Sequence, residues 1–273
     1  MKNSTHLSDE LAPVVLVPGG VMPGGMSYGQ LLNVIQDQVH AVAKDLEVYR
    51  TATPPADYGL GLEVDGINRA ADAAGFDTFH LVGYSAGGAS SLAFAARYPD
   101  RLRSLALIEP AWIGSEDWTP EDVTDWAELD RVMALPDDER MRAFARWQMR
   151  PGLQPPQLQL PAGPPPSWMA QRPTGLVAVA RAFKAYRLDR QRFRTFRQPV
   201  YYALGSLSRP FYERNARRLA GLFPDFRVEV YEGRSHFDPP QRAEPERFAR
   251  ALRELWAASQ ERHAEGLPAT ASV

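Results

Sequence analysis

The stretch Gly83-Tyr84-Ser85-Ala86-Gly87 sets one serine between two glycines, directly after the apolar run "FHLV" and directly before "GASSLAFAA". A strand, a sharp bend carrying serine and a helix of small residues together lift a hydroxyl above a sheet as a nucleophile. The serine then occupies a backbone conformation that is costly for a residue with a Cβ, and the flanking glycines let strand and helix approach closely. The amide of Ala86, at the helix start, is placed to meet the oxygen of an attacked carbonyl, where the helix dipole favours negative charge. A plain strand-to-helix turn is the other reading of the pattern, and the two flanking segments speak against it.

A serine hydroxyl needs a base to take its proton. Of the five histidines, His6 and His263 lie towards the chain ends, and His40 and His80 sit beside or inside strand patterns. His236 stands in "EGRSHFDPP", a loop after the last strand and before the last helix. From there an imidazole can reach back over the sheet, and the order serine then histidine fits such a pair. The first strand ends in "VPGGVMPGG", where the amide of Gly20 is the candidate second oxyanion donor, with Gly19 making the turn. Val21 is the alternative donor, and a merely flexible glycine loop is the plainer reading. Tyr84 and Trp112 are counted with the substrate-binding residues. This chemistry needs no metal and no organic cofactor.

These groups require a scaffold of alternating strands and helices. Short apolar runs at 13–17, 39–46, 79–83, 103–110, 199–205 and 226–233 read as strands. Helical patterns follow at 27–39 (Ser27 as N-cap), 62–75 (closed by Gly75), 87–99 (stopped by Pro99) and 245–259. The alternation predicts an α/β fold, a mostly parallel central sheet with helices on both faces, with ligands bound at the carboxyl ends of the strands. From Trp112 to about Arg197 the rhythm breaks into helical patterns and the Pro-rich stretch 151–168, with no convincing strand. This segment reads as a helical cap, 112–197, inserted into a core of 1–111 and 198–273.

Taken together these residues resemble the α/β-hydrolase superfamily, in particular its serine esterases with a helical cap. The resemblance covers nearly all of the chain outside the insertion. It rests on "VVLVPGG", "VAKDL" with its Asp45, "FHLVGYSAGG", "LRSLALIEP" and "GRSHFDPP". Pro18 stands where the family more often has a histidine, a side chain that braces the oxyanion loop. The family usually carries its acid as Gly-x-x-Asp after the strand here written "PVYYALG"; this chain has Gly205-Ser206-Leu207-Ser208. Some relatives, certain haloalkane dehalogenases among them, place the acid at the end of the strand after the elbow helix. The resemblance therefore points to Glu109 as the group that orients His236. Asp238 is nearer in sequence but too close to His236 to fold back. A dyad assisted by Ser208, with Glu109 merely holding a loop, is the remaining alternative.

The expected activity is hydrolysis of a carboxylic ester of modest size, or of a lactone or thioester, through an acyl-enzyme on Ser85 with His236 as base. Cleavage of carbon–carbon bonds, acyl transfer and a ligand-binding role with little turnover stay open. The elbow serine argues against epoxide hydrolase and dehalogenase chemistry, which use aspartate there. Trp118, Trp126, Trp147, Trp168, Met133, Met141 and Met149 supply an apolar core to the cap, and some of them can line a substrate pocket. The basic run 181–197 reads as a solvated helix face.

A net charge of −2 over 273 residues gives no electrostatic case for nucleic acid or an acidic membrane. The chain has no cysteine, which excludes disulfides and thiolate chemistry and fits a reducing, cytoplasmic setting. The polar start lacks an apolar signal segment, no run approaches the roughly 18 apolar residues of a membrane helix, and "LPAT" at 267–270 reads as a frayed end. The expected partner is a small-molecule ester; the oligomeric state is left open.

Overall fold

The computed structural model describes residues 11–154 and 166–265. His6, the Pro-rich segment at 155–165 and the tail at 267–270 lie outside the described residues, whereas position 263 falls within the last helix.

Six strands, β1 (Ala12–Val17), β2 (Val39–Ala43), β3 (Phe79–Tyr84), β4 (Leu102–Ile108), β5 (Val200–Gly205) and β6 (Phe226–Tyr231), form one sheet. Their order is β2-β1-β3-β4-β5-β6, and every pairing is parallel. Parallel strands need crossovers that cover both faces, so the central strands read as continuous apolar runs. In β1, Val14, Val15, Leu16 and Val17 are all fully buried; removing each from water stabilises the fold by about 1.5–3 kcal/mol.

Helices α1 (Gly24–Ile35) and α9 (Pro245–Glu265) pack Tyr28, Leu31, Phe248 and Leu252 on one face. Helices α2 (Leu60–Ala73) and α3 (Ala86–Arg97) pack Val64, Ile67, Leu92 and Phe94 on the other. Gly75, at φ +74°, ends α2 in the left-handed conformation that glycine adopts without steric cost. Helix α1 begins at Gly24, ahead of the expected Ser27 cap, because the Asp45 carboxylate accepts from the Gly24 amide at 2.6 Å. Ser27 is buried inside that helix.

Between β4 and β5 the described residues form α4 (Pro120–Met133), α5 (Asp137–Trp147) and α6 (Arg172–Ala185), with 3-10 turns at Ser167–Gln171 and Arg190–Thr195. Thr119 and Asp122 make a reciprocal cap at the start of α4. Asp122 and Asp125 of α4 then pair with Arg214 and Arg218 of α7 (Pro210–Ala220) and with Arg209 just before it. An isolated antiparallel bridge, Met149 to Ser208, adds a second tie, to the turn after β5. A short α8 (Pro240–Ala243) precedes α9. Among the described residues no helix is long and apolar enough to cross a membrane.

Candidate active site

Ser85 is the single residue between β3 and α3, at φ 54° and ψ −115°. That conformation costs a residue with a Cβ about 1–3 kcal/mol and persists only where the surroundings impose it. They do. The Ser85 amide donates to the Ile108 carbonyl at 2.9 Å, and the Ser85 carbonyl accepts from Ala111 at 2.9 Å. A Cβ on Gly83 would lie 2.3 Å from the Ser91 hydroxyl, and one on Gly87 2.3 Å from the Val17 carbonyl, so both positions require glycine.

Glu109 follows β4 directly and is likewise left-handed, at φ 42°. Its Oε1 accepts from the Gly205 amide at 2.7 Å, and its Oε2 lies 2.8 Å from His236 Nδ1. His236 Nε2 lies 2.9 Å from Ser85 Oγ. The carboxylate can only accept, so Nδ1 carries the imidazole proton and Nε2 is left to accept from the serine hydroxyl. Ser85, Glu109 and His236 are 6%, 2% and 2% exposed, so these hydrogen bonds work in a low-dielectric setting.

Two tyrosine rings pack against the imidazole. Tyr212 stacks on it with ring centroids 4.5 Å apart, and Tyr84 lies 5.1 Å away on a tilted plane. The Tyr84 hydroxyl donates to the His236 carbonyl, fixing the loop at its own backbone. The Tyr212 hydroxyl donates to Gln148 Oε1 and stands 3.4 Å from His236 Nε2. Burial, reinforced by the Glu109 charge, pushes both hydroxyls well above the ordinary tyrosine range, so both stay neutral donors.

The glycine loop after β1 is held from outside the motif. Tyr49 donates to the Gly20 carbonyl at 2.6 Å, and Gly87 donates to the Pro18 carbonyl at 3.0 Å. Burial raises the Tyr49 hydroxyl above its ordinary range, which keeps it a donor. The turn that carries Tyr49 is itself tied down, because buried Glu63 accepts from the amides of Glu47 and Val48 at 2.9 and 3.2 Å. Arg172 covers the Tyr49 ring at 3.7 Å. Among the described residues the amides of Gly20, Val21 and Ala86 donate to no protein acceptor, and all three residues line cavities at Ser85.

Two such cavities, each of about 30 Å³, meet at the serine. Ser85, Gly20 and Phe144 line both. One is apolar, walled by Trp126, Met133, Trp147, Leu176 and Phe183 of the helical insertion, with Gln148 and Tyr212 at its edge. The other is bounded by Met22, Tyr84, His236, Phe237 and Arg242.

A family model for the alpha/beta hydrolase fold matches residues 12–243. The chain belongs to the α/β-hydrolase fold family. Over 71 residues it is 38% identical to the 2-hydroxy-6-oxo-6-phenylhexa-2,4-dienoate hydrolase of Comamonas testosteroni, covering 26% of this chain and 25% of that protein. Over 172 residues it is 32% identical to the 2-hydroxy-6-oxo-2,4-heptadienoate hydrolase of Pseudomonas putida, covering 55% of this chain and 61% of that protein. The chain thus spans between a quarter and about three fifths of the length of these curated relatives. A solved thermophilic esterase from Thermogutta terrifontis superposes with a TM-score of 0.67 at 19% identity, covering 91% of this chain and 90% of its own. That likeness is one of fold.

Against the α/β-hydrolase pattern, the turn after β5 does other work here. Its Leu207 carbonyl accepts from Arg150 at 3.0 Å, and its Arg209 amide donates to Gln148 at 2.9 Å, so it docks the insertion. Ser208 Oγ is buried with no partner among the described residues and does not join His236. Asp238 accepts from the Ser235 amide at 2.7 Å, inside its own turn, and does not reach His236 either. His80 is buried against Ser104 and Trp256, and His40 packs on Phe76.

Trp112 differs from expectation. It is 1% exposed, its indole stacks on Phe183 at 5.8 Å, and it lines neither cavity; it lies behind the pocket wall that Phe183 presents. Trp118 likewise stacks behind Trp126, at 5.4 Å. Trp168 stands 5.1 Å from the Arg172 guanidinium, Met141 packs on the insertion's core, and Met149 makes the bridge to Ser208. In the basic run, Lys184 pairs with Asp130 and Arg190 with Asp117. Tyr49, Tyr212, Gln148, Phe144 and Arg242 carry no sequence signal that marks them for the site.

Proposed function

We propose that this chain is a serine hydrolase that cleaves a carboxylic ester. The observation that supports the reading most is the unbroken chain from Glu109 Oε2 to His236 Nδ1 at 2.8 Å and from His236 Nε2 to Ser85 Oγ at 2.9 Å. Ser85 Oγ attacks the carbonyl carbon while Nε2 takes its proton, forming a tetrahedral oxyanion. The amides of Gly20 and Ala86 stabilise that oxygen; Val21 is the alternative to Gly20 as donor. His236 returns the proton to the leaving alcohol, and the acyl group stays on Ser85. Water, deprotonated by His236, then attacks the acyl carbon; the C–Oγ bond breaks, the acid leaves and the imidazolium returns the proton to Ser85 Oγ. Glu109 holds the reactive tautomer and stabilises the imidazolium that forms twice per cycle. Tyr84 positions His236 through its carbonyl.

In this reading residues 112–197 cap a core formed by 1–111 and 198–273, and the apolar wall supplied by α4–α6 receives an apolar acyl or alcohol group. Each cavity at the serine has room for only a couple of water molecules, so the cap gives way when substrate enters. Lactones and thioesters present the same carbonyl to the same groups. Turnover of an aryl ester by the wild type and its loss in Ser85→Ala, with the fold retained, tests the assignment.

The names of the curated relatives favour one second reading, cleavage of a carbon–carbon bond with the same serine and histidine. Turnover of a 2-hydroxy-6-oxo-dienoate at a kcat/KM well above that of aryl esters would establish it in place of esterolysis.

A further inference from the structure

The cavity bounded by Tyr84, His236 and Phe237 is also lined by the cationic side chain of Arg242. Among the described residues Arg242 makes no ion pair; its one side-chain hydrogen bond runs from Nη1 to the Met22 sulfur at 3.3 Å. Its neighbours in sequence differ. Arg234 and Arg247 both reach Glu244, at 2.7 and 3.2 Å, and Asp238 is engaged with the Ser235 turn and lies 3.7 Å from Arg234. A guanidinium has five donors, and a thioether is a weak acceptor. Arg242 therefore brings several uncommitted donors to the wall of a half-enclosed cavity. A planar, always-charged fork beside aromatic walls is suited to a carboxylate, which it can bind through two parallel hydrogen bonds.

The position matters as much as the charge. The cationic cavity and the apolar one share Ser85, Gly20 and Phe144, so they extend from the nucleophile in two directions. A molecule whose carbonyl sits at Ser85 can place an apolar group against Trp126, Trp147 and Leu176 and a second group against Arg242.

We propose that the substrate of this site carries a carboxylate on the side of the reacting carbonyl opposite its apolar group, as in a monoester of a dicarboxylic acid, and that Arg242 is the residue that selects it. The proposal deepens the serine-hydrolase reading and rests on it.

The test compares benzyl hydrogen succinate with the neutral benzyl butyrate on wild type, Arg242→Met and Arg242→Lys. Wild type is expected to favour the anionic ester in kcat/KM by about tenfold or more, the size of a charge-assisted hydrogen bond. In Arg242→Met that ratio collapses to near one, carried by KM for the anionic ester, and Arg242→Lys keeps part of it. A wild-type ratio near one, or a ratio that Arg242→Met leaves unchanged, overturns the proposal. Calorimetry with 4-phenylbutyrate and its amide on Ser85→Ala separates this outcome from a failure of the hydrolase reading. Tighter binding of the carboxylate, lost in the Ser85→Ala/Arg242→Met double variant, upholds the anion site without any turnover; equal binding of acid and amide overturns it.

Discussion

Glu109 holds His236 Nδ1 at 2.8 Å from a backbone at φ 42°, and its other carboxylate oxygen takes the Gly205 amide at 2.7 Å. Both oxygens are thus committed, one to the imidazole and one to the end of β5. The strained backbone aims the carboxylate across the top of the sheet, and the amide prevents it from turning away. Glu109→Gln keeps the shape but can donate to Nδ1, which favours the wrong imidazole tautomer. It is expected to lower kcat by about 10³-fold or more with little change in KM. Steady-state kinetics on an aryl ester measures this, and a loss of less than tenfold would remove Glu109 from its proposed role.

Ser208 offers the opposite expectation. Its hydroxyl is buried and bonds to nothing among the described residues, so Ser208→Ala removes an unsatisfied group and leaves activity within about twofold, with stability unchanged or slightly raised. A large drop in kcat would revive a serine-assisted dyad.

Tyr49 ties the glycine loop after β1 to the turn that carries it. Its hydroxyl fixes the Gly20 carbonyl at 2.6 Å, and with it the peptide that leads on to Val21. Tyr49→Phe is expected to reduce kcat by several-fold to about tenfold, the value of one hydrogen bond, while the melting temperature moves little. The decisive readout is the split between kcat and KM. An effect confined to KM would mean that Tyr49 only shapes the pocket.

How much of this could be read from the chain follows the distance over which each feature is determined. The elbow is legible because the Gly-x-Ser-x-Gly pattern lies within five residues, between a strand run and a helix run, although the groups that require its glycines, the Ser91 hydroxyl and the Val17 carbonyl, lie outside it; His236 is legible because its loop falls after the last strand. Glu109 was legible only through the resemblance, since a carboxylate at a strand end has many ordinary uses. Tyr212 and Gln148 are 64 residues apart, and Tyr49 and Gly20 are 29 apart. No periodicity or turn signal marks such contacts. The place of Trp112 after Glu109 marks it as a pocket residue, but the stack with Phe183 buries it one layer deeper. The start of α1 is hidden for the same kind of reason, because the acceptor of its first amide is Asp45, 21 residues away.

Burial, aided by the Arg103 charge, pushes the His80 imidazole down to about 3. The folded chain keeps this imidazole neutral, whereas the unfolded chain binds a proton below about pH 6.5. Stability present above that pH is therefore lost as pH falls from about 6.5 towards about 3, by up to about 1.4 kcal/mol per pH unit. In His80→Gln this component disappears, so urea midpoints measured between pH 7 and pH 4 fall less steeply than in the wild type. Parallel slopes would show that His80 already titrates in the folded chain.

The most direct measurement on the whole account is covalent capture of the nucleophile. Intact-mass and peptide mapping after brief exposure to a fluorophosphonate should show one adduct, on Ser85. Labelling should vanish in Ser85→Ala and slow by orders of magnitude in a His236→Ala variant that is still folded. A wild-type protein that remains unlabelled while folded, or that is labelled equally fast without His236, would contradict the claim that the imidazole activates this hydroxyl.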